Sequence, residues 1–564
     1  MQDLNSKSTI LNGKTAQEKL RQQEEARNHF TKAIIESSAS KKIIVSGPGT
    51  GKTFLFHKVL KQKTGDCLVL TFINNLANKL NGDLGREKIT VCTFHSFCKS
   101  LLHRIPRTGI NSNFTLYPKL SLLIKSDALI LLRKELDFRH SFTKLDRNSE
   151  ELKFFIKRSN YYNAVSFDDS VFRVIEYFEQ NPDGIPKFDQ ILVDEYQDFN
   201  LLEVTFIDLI GKQSPLLIVG DDDQALYGQL KDASSQYIRT KYRSDEYEHF
   251  ELPFCSRCTK VIVDAIQDIL INAKSANKLS GRVNKRYICY LPEKLDDNRK
   301  YPKILHAHCS IQSKQSPYLS RFIEQEIKRL EPEEIKKVNE KADFTVLITG
   351  PHHYLKQINS HIEKNKEWQI DYRKQDNIPP TISISEGYKI LTEDMTSNLG
   401  WRIVLECDRP NNLEEILRKT HYNKTTLHDN IPQDLAQKHE AIIKLLEKVK
   451  QEEKTKNVVK DNQQISVALT TYVGCKGLSA GYVFAVGLNE GILPKKNQSP
   501  TDIEICQMIV ILTRTVKECY LISVDRFAGQ KAGSQSVFLR WINNGNFEEK
   551  SINKNYLWDK QNLI

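Results

Sequence analysis

The chain has 564 residues, of which 39% are hydrophobic and 27% charged, and it carries a formal net charge of +11. That length exceeds what one core supports and predicts several domains. The composition excludes a disordered or fibrous chain, and the positive balance favours a polyanionic partner without proving one.

No apolar run approaches the ~20 residues that a bilayer-spanning helix needs, so no membrane partner is expected. The 11 cysteines are scattered through apolar stretches, among them Cys67, Cys92, Cys289 and Cys407, which suits a reducing cytoplasm. Cys255-Ser256-Arg257-Cys258 is the one C-x-x-C, and no second pair stands at metal-ligand spacing, so neither a zinc nor a redox site is expected.

The first strong signal is Ser46-Gly47-Pro48-Gly49-Thr50-Gly51-Lys52-Thr53, which follows the apolar run Ile43–Val45 and opens a helical pattern from Phe54 to Leu60. Strand, Gly-rich loop and helix in that order form a phosphate cradle, because backbone N–H groups and the helix N-terminus converge on phosphate oxygens. Lys52 can reach the β- and γ-phosphates of a nucleotide, and the Thr53 hydroxyl can ligate Mg²⁺. Leu68–Thr71 is the next buried-type strand. Residues from about 103 to 185 are helix-rich and basic, with Arg133, Lys134, Lys153, Lys157 and Arg158 among apolar positions.

Ile191–Val193 then delivers Asp194 and Glu195 at the C-terminal end of a strand, where open α/β sheets bind ligands. Asp194 is placed to hold Mg²⁺ through water and Glu195 to act as general base. A further strand, Leu216–Val219, ends in Gly220-Asp221-Asp222-Asp223-Gln224, with Gln224 placed between attacking water and γ-phosphate. Ile304–Ala307, Val346–Thr349, Val467–Leu469, Val483–Val486 and Leu521–Val524 repeat the buried-strand pattern in the second half. The expected fold class is therefore α/β, with two parallel sheets each covered on both faces. Residues 376–462 read as mixed and end in a charged run, Ala441 to Lys456, that predicts a solvated amphipathic helix.

These motifs, in this order, resemble a superfamily 1A helicase of the UvrD/Rep type nearly end to end. Leu70 to Ala77 and Cys92 to Cys98 resemble the family's strand-contacting segments, and Phe167-Asp168-Asp169 resembles the element before the acidic motif. Leu252 to Ala265 resembles the segment with the fourth-motif arginine, here Arg257. Val467 to Pro494, with Cys475-Lys476-Gly477-Leu478, resembles the fifth motif, and Val510 to Thr515 the sixth, with Arg514 as its arginine.

The resemblance implies two RecA-like domains facing each other across one ATP, with Mg²⁺. The first supplies the phosphate loop, Asp194, Glu195 and Gln224, and the second supplies Arg257 and Arg514 as fingers. Lys476 and Gly477 would lie at the nucleotide, and Gln22 or Gln23 would read adenine. Thr71, Phe72, Asn74, Phe94, His95 and Tyr227 would meet DNA, the aromatics as stacking platforms. The implied domains are 1–102 with 186–250, an insertion at 103–185, then 251–375 with 463–545, a reduced insertion at 376–462, and a tail at 546–564. The implied activity is 3′→5′ translocation or unwinding on single-stranded or tailed double-stranded DNA. RNA stays open as a substrate, since nothing in the sequence reads a 2′-OH.

The chain also departs from that pattern. Gln229 and Leu230 stand where the family places an aromatic and an arginine, Ser256 where it places an adenine-stacking tyrosine, and Ser479 where it places a ribose-binding acid. The expectation is intact hydrolysis with weaker nucleotide selectivity and strand grip. The trimmed second insertion resembles the stand-alone UvrD-like proteins encoded beside OLD-type nucleases in Gabija-like anti-phage systems. It leaves an alternative open, a DNA-stimulated ATPase that gates a partner nuclease with little unwinding. The chain itself shows no nuclease constellation.

Overall fold

A computed structural model describes residues 2–71, 88–309, 318–373, 381–423, 425–449, 464–527 and 530–553. Among these residues the chain is an α/β protein built on two parallel sheets of six and seven strands, consistent with two RecA-like domains.

The first sheet comprises β1 (Lys41–Val45), β2 (Cys67–Thr71), β3 (Ile89–Thr93), β4 (Gln190–Val193), β5 (Leu216–Gly220) and β6 (Glu248–Phe250). Its order is β3-β2-β4-β5-β1-β6, and every pairing is parallel. Alternate residues of one strand feed opposite faces. Ile43, Leu68, Ile191 and Ile218 enter one core, whereas Ile44, Val69, Leu192 and Val219 enter another with Leu55, Phe56 and Leu60 of the helix Lys52–Lys61. Burial on both faces is why these strands read as unbroken apolar runs.

The second sheet comprises β7 (Ile304–Cys309), β8 (Phe344–Thr349), β9 (Gln369–Tyr372), β10 (Ser466–Thr470), β11 (Ala480–Val486), β12 (Thr515–Val524) and β13 (Phe547–Ile552). Its order is β9-β10-β8-β11-β12-β7-β13, again all parallel. The C-terminal stretch expected as a tail from residue 546 therefore begins as an edge strand. Phe547 to Ile552 pair in register with Ile304 to Cys309, so the second α/β unit extends to Ile552. Its polar outer residues disguise it in sequence, because an edge strand needs only its inner positions apolar.

The stretch from 103 to 185 is helical, with helices at Leu120–Leu132, Phe138–Thr143, Glu150–Tyr162 and Phe167–Gln180. Ser149 and Ser166 cap the last two by accepting from the N–H groups of Leu152 and Asp169. The stretch 376–462, read as mixed, has only helices as regular elements among its described residues, at Ile384–Leu391, Asn398–Asp408, Leu413–Asn423 and Gln433–Val449 with a 3-10 turn at His428–Asn430. Burial explains the difference. Leu399, Trp401, Ile403 and Leu405 join one core with Leu123, Ile124 and Leu131 of the first insertion. Ile443 is also buried, so the last helix is not simply a solvated one, and residues 450–463 lie outside the described set.

The two insertions are further joined by a buried ionic cluster. Asp127 accepts from Arg158 Nε at 2.7 Å, from Arg402 Nε at 2.8 Å and from the Tyr162 hydroxyl at 2.5 Å. Lys119 pairs with Glu386 at 2.5 Å, and Arg133 with Glu414 at 2.7 Å, around its rim.

Candidate functional site

Parallel strands end on the same edge, so the residues that follow β1, β4 and β5 share one mouth. After β1 the Gly-rich loop turns through two left-handed glycines, Gly49 (φ +69°) and Gly51 (φ +91°). Any side chain would be strained at both. A Cβ on Gly49 would also sit 2.5 Å from Arg257 Cβ, so the loop needs glycine to pack against the Arg257 segment. Thr50 Oγ1 donates to the Gly47 carbonyl at 2.9 Å and braces the loop. Lys52 lies folded over the loop, with Nζ 3.3 Å from the Ser46 carbonyl and 3.4 Å from that of Gly47. Thr53 is exposed in the first turn of the following helix.

After β4, the Glu195 N–H donates to Asp194 Oδ1 at 3.0 Å, and Glu195 itself sits in the left-handed region at φ +52°. Burial and the adjacent Glu195 charge push Asp194 up to about 7, against the pull of Lys52. Burial acts on Glu195 in the same sense, but Lys52 and Lys476 outweigh it and hold that carboxyl below its ordinary range. Gln197 Nε2 donates to Glu195 Oε2 at 2.6 Å, while its Oε1 accepts from the Asp221 N–H at 2.9 Å. One amide thus ties the β4 acids to the β5 loop.

After β5, Gln224 Nε2 donates to Asp221 Oδ2 at 2.7 Å. Its Oε1 accepts from Arg514 Nη2 at 2.9 Å, and its backbone carbonyl accepts from Lys476 Nζ at 2.5 Å. Arg514 is 3% exposed and also donates to the Val510 and Leu478 carbonyls and to Thr513 Oγ1. Arg257 Nη1 lies 3.4 Å from the Thr513 carbonyl. Its neighbour Ser256 donates its N–H to the Gly49 carbonyl at 2.9 Å, directly joining the Arg257 segment to the Gly-rich loop.

These groups wall one cleft of about 720 Å³, lined by Pro48, Gly49, Gly51, Lys52, Thr53, Asp194, Glu195, Gln224, Arg257, Gly477 and Arg514. Gly47 faces the ring of Tyr287. Glu24, Arg27, Asn28, Phe54 and Tyr290 line the cleft as well, and Ser479, Lys337, Lys341 and Lys517 are also in its wall. Sequence reasoning missed Arg27, whose guanidinium lies 4.3 Å above the Tyr290 ring and pairs with Glu293 at 2.8 Å. The spacing of Glu24, Arg27 and Asn28 along one helix face was the available signal.

Several expected positions differ. Neither Gln22 nor Gln23 lines the cleft; Gln22 is exposed, and Gln23 accepts from the Leu291 N–H at 2.8 Å and donates to the Cys289 carbonyl. Lys476 is not in the cleft wall; its Nζ pairs with buried Asp198 at 2.5 Å, a contact between residues 278 positions apart in the chain. Phe94 is 3% exposed and packs edge-on against Phe206 at 5.0 Å, so it belongs to the core and offers no stacking face. Thr71 is buried and lines the same cleft. Phe72 and Asn74 lie outside the described residues.

Tyr227 is half-buried, with Lys476 Nζ 5.1 Å and Lys231 Nζ 5.8 Å from its ring centre. His95 sits 4.7 Å from the Phe167 ring, and burial, helped by Lys231, pushes its pKa down to about 4. An unfolded histidine titrates near 6.5, so the depressed value costs stability as pH falls from about 6.5 towards 4. NMR titration of the imidazole should find His95 neutral at pH 5.5, and a midpoint near 6.5 would contradict its burial.

Among the described residues no helix is long and apolar enough to cross a membrane. Residues 31–229 match the protein family described as an AAA domain. The ATP-dependent DNA helicase PcrA of Staphylococcus aureus is 29% identical over 276 residues, which is 41% of this chain and 38% of that protein. The PcrA helicase of Staphylococcus epidermidis is likewise 29% identical over 276 residues, 40% of this chain and 37% of the relative. The chain thus spans well under half the length of the curated relatives it matches. Over residues 31–229 the chain is thus similar to an AAA domain, and over ~40% of its length it is distantly similar to DNA helicase PcrA.

Proposed function

We propose that this chain hydrolyses ATP in the cleft and couples hydrolysis to 3′→5′ movement along single-stranded DNA, as a translocase or helicase. The observation that carries the reading is that Lys52, Asp194, Glu195 and Gln224, from loops and the helix that follow strands of the first sheet, line one cavity with Arg257 and Arg514, which lie beyond that sheet in the chain. A site divided between two units is complete only when they close, so turnover and relative movement are linked.

The residues fit a magnesium nucleotide. Two left-handed glycines open the loop N–H groups, Lys52 is already drawn to loop carbonyls, and Thr53 and Asp194 supply oxygen donors in the same cleft. Thr53 and Asp194 would hold Mg²⁺, which supplies charge neutralisation on the phosphates when bound. Glu195, kept ionised by Lys52 and Lys476, accepts the proton of the attacking water. Gln224 orients that water, and Arg257 and Arg514 meet the negative charge that develops on the transferred phosphoryl.

A second reading, a DNA-stimulated ATPase with little unwinding that gates a partner nuclease, is favoured by two features. Phe94 is unavailable for stacking, and the Asp127 cluster ties the two insertions together. Two measurements on the purified chain decide between them. Single-stranded DNA should stimulate ATP turnover under either reading, and no stimulation would overturn both. Strand displacement on a 3′-tailed duplex should be robust for a helicase, whereas stimulated turnover without displacement supports the gating role.

A further inference from the structure

Asp221, Asp222 and Asp223 are consecutive and buried, with one carboxylate oxygen from each lying within 4.8 Å of the others. Oxygen donors so arranged suit a divalent cation. Here the centre is filled by a side chain. Lys285 Nζ stands 2.7 Å from Asp221 Oδ1, 2.6 Å from Asp222 Oδ1 and 2.8 Å from Asp223 Oδ2.

The remaining carboxylate oxygens are also engaged. Asp222 Oδ2 accepts from Arg239 Nε and from the Val283 N–H, each at 2.9 Å, and Asp223 Oδ1 accepts from Arg282 Nε at 2.7 Å. Three carboxylates therefore meet one ammonium and two guanidiniums, and formal charge balances inside the protein. Asp221 Oδ2 accepts from Nε2 of Gln224, which lines the cleft.

That bond decides which way the Gln224 amide points. An amide has a donor end and an acceptor end, and the Asp221 carboxylate can take only the donor. Oε1 is thereby left for Arg514 Nη2. A turned amide would aim its NH₂ at the guanidinium, donor against donor. Lys285 also lies where the two halves meet. Two residues on, the Tyr287 hydroxyl donates to the Pro48 carbonyl of the phosphate loop at 3.0 Å, and Ile288–Cys289 pair with Phe254–Cys255 just before Arg257.

We propose that Lys285 is a positioning residue for ATP turnover, a resident cation that fixes Asp221 and, through it, the Gln224 amide in front of Arg514. This rests on the reading of Gln224 and Arg514 as groups that face the γ-phosphate. Lys285 touches no substrate; it acts through two intermediaries, so its loss alters geometry and not nucleotide contacts.

The test is a double-mutant cycle on the full chain, with Lys285→Gln, Gln224→Ala and the combination, reading kcat and KM for ATP at saturating single-stranded DNA alongside thermal melting. Lys285→Gln should lower kcat by up to about 10²-fold, the scale of an ångström-level misplacement, with KM within about threefold. Lys285→Arg, which keeps the charge, should recover part of that loss. In the Gln224→Ala background the same change should cost nothing further, because the group it positions is gone. Equal losses in both backgrounds, or a lower melting temperature with unchanged kcat, would overturn the positioning role. If Lys285→Gln does not fold, Asp221→Asn takes its place in the cycle, with the same non-additivity expected. An unchanged kcat in Gln224→Ala alone would instead defeat the underlying reading of the cleft, and the proposal with it.

Discussion

Arg514→Ala is expected to lower ATP turnover by about 10³-fold or more while changing ATP affinity only a few-fold. Fingers that meet charge on a transferred phosphoryl are worth ~10³–10⁵ in rate, because that charge exists only in the transition state. The structure gives reasons to place Arg514 at the strong end. It is almost fully buried, where burial and the neighbouring Arg257 charge hold its pKa below the usual arginine range. Its orientation is fixed in advance by Val510, Leu478, Thr513 and Gln224, so little reorganisation is needed at the moment of reaction.

Arg514→Lys should rescue little, since a single ammonium cannot serve four acceptors at fixed fork geometry. Steady-state kcat with saturating single-stranded DNA, and equilibrium binding of a fluorescent ATP analogue, separate the two effects. Turnover within about tenfold of the parent would remove Arg514 from the reaction. A parallel loss of nucleotide affinity would make it a binding group instead.

Much of the cleft was legible in the sequence because its parts are local. A Gly-rich loop between strand and helix, or two acids at a strand end, can be read within ten residues, and parallel packing then brings the three strand ends to one edge. Roles that depend on distant partners were not legible. Phe94 fits a stacking platform by position, yet Phe199 and Phe206 enclose it from a helix and loop more than 100 residues on. Lys476 fits a nucleotide contact, yet Asp198 and the Gln224 carbonyl claim its ammonium across the domain boundary.

The missed strands have the same origin. β3, β6, β9 and β13 lie at sheet edges, where one side of the backbone stays unpaired and polar residues are tolerated. Lys285 and Asp127 carry no local signature at all, since the partners that define them lie at least 31 residues away in sequence.

Asp127→Ala should destabilise the paired insertions by about 3–5 kcal/mol, the cost of leaving buried charge without its counterion. Asp127 is the shared acceptor of two arginines that are themselves buried, and Arg402 already has one terminal nitrogen, Nη1, without a partner. Removing the carboxylate leaves Arg158 without a carboxylate partner and Arg402 with Glu406 alone, whereas exchanging the whole cluster for apolar residues of similar volume would be far milder. Burial acts to raise the Asp127 pKa, but Arg158 and Arg402 outweigh it and hold the group below its ordinary range. An acid held low in the folded state stabilises above its unfolded value near 3.9, and that stability is lost as pH falls through the folded value. The parent chain should therefore lose the insertions' packing below about pH 4, and Asp127→Ala should lack that acid-dependent step because it has lost the contribution already. Because the insertions belong to the same buried core as one face of the first sheet, the variant should unfold at lower denaturant than the parent, together with that sheet. Denaturant titration followed by tryptophan fluorescence reads this directly, since Trp401 is fully buried in that core. A variant that unfolds in a single transition with the parent's midpoint would mean that the insertions are held by apolar packing alone, and that the ionic cluster contributes nothing to joining them.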